Sequence, residues 1–120
     1  MKVAMVRALV FLSLLLLGSV SLAHASTDIR SEQEKIAYLL NVVGDSKVIF
    51  IRNGVEYPGK EARAHLQMKL DAAGGAIQTV DDFITILASH SSMTGQPYYI
   101  ELPDGTMIES EKWLRDKLAE

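Results

Sequence analysis

Cysteine is absent from this 120-residue chain. That excludes disulfide staples and a lipid anchor, since lipid attachment needs a cysteine at the processed N-terminus. Histidine is scarce, with three in all. His24 lies in the leader described below, and His65 and His90 lack the helical or loop spacing that would make them a metal pair with carboxylates. No metal and no cofactor is therefore expected. A basic excess is missing too: twelve Lys+Arg stand against fifteen Asp+Glu, a formal net charge of −3. An acidic chain with no basic stripe along it is a poor ligand for nucleic acid. Finally, no apolar run reaches the roughly 20 residues of a membrane-spanning helix, so no stable membrane insertion is expected after processing.

What the N-terminus does hold is a secretory pattern. Lys2 and Arg7 form a basic start, Ala8 to Leu17 is an uncharged apolar stretch, and Ala23-His24-Ala25 places small residues at the −3 and −1 positions of a cleavage site. Residues 1–25 are accordingly read as a cleaved signal peptide, and 26–120 as a single domain. The leader contains no acid, so ten basic residues oppose fifteen acidic ones beyond it, a formal charge of −5. That charge is polarised. Lys47 to Leu70 carries five basic and two acidic residues, and Asp71 to Glu120 carries three basic and nine acidic ones.

The rest of the chain is punctuated clearly. Ser31-Glu32-Gln33-Glu34 has capping-box spacing, Ile36, Leu39, Leu40 and Val43 follow at helical period, and Gly44 is the expected stop. Val48 to Ile51 reads as a strand, Asn53-Gly54 as a two-residue hairpin turn and Val55-Glu56-Tyr57 as the return strand. Pro58-Gly59 ends the sheet. A helix from Lys60 then places Ala62, Leu66, Leu70 and Ala73 on one face and stops at Gly74-Gly75. Thr79 caps a third helix, with Val80, Phe83, Ile84 and Leu87 turned inward. Beyond a polar loop, Ser89 to Pro97, a second hairpin turns at Pro103-Asp104-Gly105. Ser110 is read as the cap of a last helix burying Trp113, Leu114 and Leu118. The fold class expected is α+β, in the order α-ββ-α-α-ββ-α, with both hairpins in one small antiparallel sheet and about four helices packed on one face.

Four stretches carry a resemblance. Phe50-x-Arg52-Asn53-Gly54, His65-Leu66-x-x-Lys69-Leu70, Ile77-x-Thr79-x-x-x-Phe83-Ile84 and Ala88-Ser89-x-Ser91-Ser92-x-Thr94-Gly95-x-Pro97-Tyr98 resemble the YfeK-like family. That is a group of small bacterial periplasmic proteins known as a domain of unknown function. The resemblance runs from about Ile36 to Leu102. It implies a periplasmic, Gram-negative setting and supplies no activity, ligand or catalytic residue.

The residues themselves point to one polar cluster. Lys69 falls inside the apolar arc of the second helix, and His65 lies one turn earlier on the same face. With Arg52, Tyr98 and the loop hydroxyls Ser91, Ser92 and Thr94, they form a candidate site for a carboxylate or phosphate. The competing reading is structural: His65 and Lys69 bond carbonyls and hydroxyls of the loop and pin it. No catalytic residue is assigned. A serine nucleophile with His65 as base would need an orienting acid and an oxyanion hole, and no Gly-x-Ser-x-Gly is present. The function expected is that of an exported, non-catalytic accessory binding a partner protein or small anion. The alternatives are a small hydrolase or transferase using the loop serines with His65, or a secreted inhibitor offering the Asn53-Gly54 turn.

Overall fold

A computed structural model describes residues 28–120; the leader and its cleavage site lie outside them. The fold is α+β, with helices and hairpins in the expected order. Helix α1, Glu32–Asp45, starts from a complete capping box, Ser31 Oγ accepting from the Glu34 amide while the Glu34 carboxylate accepts from the Ser31 amide. It buries Ile36, Leu39, Leu40 and Val43. The helix does not stop at Gly44 but runs on to Asp45. The amide and hydroxyl of Ser46 both bond the Val43 carbonyl and close it there.

Strands β1, Ile49–Arg52, and β2, Val55–Pro58, meet at a tight turn in which Asn53 and Gly54 have φ of 51° and 77°. Positive φ at both central residues is the type I′ geometry that Asn-Gly adopts most readily. Helix α2, Gly59–Ala73, begins at once. Here the glycine serves close approach rather than redirection: a Cβ on Gly59 would stand 2.4 Å from the Val43 carbonyl oxygen.

Helix α3, Val80–Asp82, is capped reciprocally by Thr79 and Asp82 and widens directly into a π-helical stretch, Phe83–Ala88. An i→i+5 repeat puts residues four and five apart on one face. Phe83, Ile84, Leu87 and Ala88 are therefore all buried while Ile86 is exposed. Strands β3, Tyr99–Glu101, and β4, Met107–Glu109, complete the sheet, and α4, Ser110–Ala119, closes the chain.

The sheet order is β2-β1-β3-β4, antiparallel throughout, so the two hairpins join through β1 and β3. One row crosses all four strands: Tyr57 opposite Phe50, Phe50 opposite Ile100, Ile100 opposite Ile108. It faces the helices, where Phe50 meets Trp113 edge-on at 5.6 Å between ring centroids, a contact worth about 0.5–1.5 kcal/mol beyond its buried area. Side chains alternate along a strand. Arg52 lies two residues beyond Phe50, and Tyr98 two before Ile100, so both fall on this same inner side. The pleat thus turns a cation and a phenol toward the core.

Candidate functional site

Arg52 and Tyr57 come from the sheet, Tyr98 from the residue just before β3, and His65 and Lys69 from the facing side of α2. Arg52 Nη1 donates to His65 Nε2 at 2.7 Å, and Nη2 donates to Tyr57 Oη at 3.0 Å. The guanidinium carbon stands 5.1 Å from the Tyr57 ring centroid. One turn along α2, the Lys69 ammonium donates to the Leu87 carbonyl at 2.7 Å and to Tyr98 Oη at 3.2 Å. It lies 5.2 Å from the Tyr98 ring centroid. Behind Arg52 the cluster opens into a cavity of about 40 Å³. Its walls are apolar (Phe50, Ala62, Leu66 and Ala88), with Ser110 also lining it.

The protonation states follow from the contacts. Arginine can only donate, so the ring nitrogen facing it must accept. The nearer ring nitrogen, Nε2, is the acceptor this contact calls for, which makes the imidazole neutral there. Burial pushes the His65 pKa down, and the charges of Arg52 and Lys69 push it further the same way. Burial also lowers Lys69, aided by Arg52. The hydrogen bond to Tyr57 raises Arg52, which remains a permanent cation. Burial raises the Tyr98 hydroxyl, which stays protonated at neutral pH, with Arg52 acting against the shift.

Ion pairs elsewhere in the molecule match Arg30, Lys35, Lys112, Arg115 and Lys117 with acids. Among the described residues, no carboxylate lies within ion-pair distance of Arg52 or Lys69. The donors also outnumber their acceptors. Arg52 carries five guanidinium N–H groups, and its side-chain partners are His65, Tyr57 and the nearby Tyr98 hydroxyl, so donors remain beyond them. Tyr57 and Tyr98 each accept a bond, and neither hydroxyl donates to a described residue.

The sequence candidates divide. Arg52, His65 and Tyr98 line the cavity. Lys69 stands beside it, committed to the end of the π-helical stretch. Ser91, Ser92 and Thr94 are elsewhere. Ser91 is buried, its Oγ accepting from the Met93 and Thr94 amides inside the loop; Ser92 is exposed. The expected pinning of this loop by His65 and Lys69 is replaced by another contact. Asn53 of the hairpin turn donates through Nδ2 to Ser91 Oγ at 3.3 Å and accepts from Thr94 Oγ1 at 2.8 Å. The loop serines are not among the hydrogen-bond partners of His65. His90 sits apart, its Nδ1 against Ser89 Oγ at 2.9 Å.

Two residues were missed. Tyr57 read only as strand, although its place opposite Phe50 was available once the turn was fixed. Ser110 read as a helix cap, but Glu109 holds that position, and Ser110 is the first helical residue, 3% exposed. Its amide bonds the Tyr98 carbonyl. No local signal distinguishes the two roles.

The profile of a family of unknown function, DUF5329, matches residues 30–120. The chain belongs to this family. The uncharacterized protein YfeK of Salmonella typhimurium (strain LT2) is 40% identical over 68 residues, covering 56% of this chain and 57% of that relative. The chain thus matches little more than half of the relative's length. The DUF5329 assignment and this similarity bear out the resemblance carried by the four motifs. No solved structure matches the chain.

Proposed function

We propose that this DUF5329 protein is an exported, non-catalytic binding domain that receives an anionic group beside Arg52, His65, Tyr57 and Tyr98. The observation that carries the reading is the excess of positive charge and hydrogen-bond donors. Among the described residues, two half-buried cations and two tyrosine hydroxyls gather at or beside one cavity with no carboxylate within ion-pair distance of either cation, in a chain that is acidic overall. Half-buried charge without a counter-ion is costly, and an incoming anion removes that cost. Export rests on the basic start, short apolar stretch and Ala-x-Ala site of residues 1–25; a periplasmic setting is the one this leader and the family resemblance favour.

The hydrolase alternative finds no support in the geometry, because His65 accepts from Arg52 and no loop serine approaches it. The inhibitor alternative is weakened in the same way, since Asn53 is engaged by the polar loop. Titration with acetate and with inorganic phosphate, followed by amide chemical shifts, tests the anion reading. Arg52→Gln should weaken binding roughly 10- to 100-fold, the equivalent of about 1.5–3 kcal/mol in charge-assisted bonds. Equal binding by the variant and the parent would remove Arg52 from the site.

A further inference from the structure

Resting on that reading, we infer that the ligand is a small monocarboxylate whose compact apolar tail enters the cavity behind Arg52. The mouth and the interior differ in chemistry, and the difference selects an amphiphile. Arg52, Tyr57 and His65 are half-exposed and form the mouth. There the planar guanidinium keeps N–H groups beyond those bonded to His65, Tyr57 and Tyr98 and matches a carboxylate with two bonds. The free proton of Tyr57 is a third donor beside it. Inside, Phe50, Ala62, Leu66 and Ala88 present carbon, and Ser110 is the one hydroxyl outside the tyrosines.

This arrangement disfavours phosphate. Arg52 is the permanent cation that lines the cavity, and the Lys69 ammonium is already engaged by Leu87 and Tyr98. A second negative charge would enter an apolar slot without a matching cation. Size sets the tail. A cavity of about 40 Å³ holds on the order of three waters at roughly 10–15 Å³ each. That is room for a tail of about three or four carbon atoms. A free short-chain acid and the C-terminus of a peptide ending in a small aliphatic residue share this chemistry.

The test is a series of straight-chain acids titrated into the protein as recovered from expressing cells, read by the amide shifts of His65, Leu66 and Ala88. Each methylene buried should raise affinity about fourfold, so butyrate should bind on the order of tenfold more tightly than acetate. The gain should cease by hexanoate, which overfills the slot. Ala62→Leu and Ser110→Val, each checked for folding by circular dichroism, should bring the butyrate-to-acetate ratio toward one. N-acetylalanine in the same titration separates the sources: binding tighter than butyrate marks a peptide terminus, and weaker binding marks a free acid. If acetate, butyrate and phosphate bind equally and all depend on Arg52, the tail inference is overturned and the anion reading stands. Absence of shifts with every acid and with phosphate overturns both.

Discussion

At the scale of single residues, the Arg52–His65 contact makes the imidazole a pH-sensitive support for the site. Its folded pKa lies below the ordinary 6.5, so acid favours the unfolded chain, which binds the proton more readily. The contribution of His65 is complete above 6.5 and is lost as pH falls below that value toward the depressed folded pKa. His65→Gln can keep an acceptor for Arg52 and cannot titrate. Urea midpoints measured near pH 7.5 and near pH 5 should fall less for this variant than for the parent. Lys69 makes a second, separable prediction. Its ammonium satisfies a carbonyl at the end of the π-helical stretch and a buried phenol, so Lys69→Met should destabilise by about 1–3 kcal/mol. A higher urea midpoint in the variant would instead mean that Lys69 is held at some cost for a ligand. The identity of these side chains as a polar cluster was legible, because a lysine in an apolar arc is conspicuous. Their partners were not, since the same arc fits a bond to any loop nearby.

Elements show the same division. The type I′ hairpin follows from two adjacent residues, the capping box at Ser31 from a four-residue pattern and the cap at Thr79 from the threonine itself, so local chemistry was enough. That Asp82 closes a reciprocal box there emerged with the structure. The π-helical widening was not legible. Val80, Phe83, Ile84 and Leu87 satisfy an ordinary helical period, and the buried Ala88 fits it as well, so no apolar pattern marks the wider turn. The start of α2 was read for the wrong reason. Gly59 looked like a breaker, whereas it admits the carbonyl of Val43 from a helix that ended a dozen or so residues earlier in the chain. Gly59→Ala should therefore cost about 1–3 kcal/mol through overpacking against backbone. Gly75, where an added Cβ meets nothing within 4 Å, is the control. Denaturant midpoints should fall for Gly59→Ala and stay close to the parent for Gly75→Ala.

For the molecule as a whole, the prediction concerns processing. A leader cut after Ala25 leaves a chain beginning at Ser26, and the intact mass of protein recovered from the periplasmic fraction should correspond to residues 26–120. Recovery of the full-length mass in the membrane fraction would replace export with anchoring. Within the described residues, the two hairpins come together through the β1–β3 pair, and that pairing completes the site begun by β1, β2 and α2. It brings Tyr98 beside Arg52 and sets the cavity between the sheet and α2.

What the sequence determined by itself is whatever depends on neighbours a few residues apart: the order of elements, the turn at Asn53-Gly54, the caps and the apolar faces. Each is an interaction within one turn or one hairpin, where the intervening chain leaves little choice of partner. The tertiary structure alone decided which polar groups meet. His65 reaches Arg52 across 13 positions, Lys69 reaches Leu87 across 18 and Tyr98 across 29, and Ser110 joins a cavity rather than a cap. The Lys69–Leu87 bond depends on α2 packing against the π-helical stretch. Tyr98 reaches the cluster because β1 pairs with β3 in one register, and a period-two pattern is compatible with several registers until a packed core selects one.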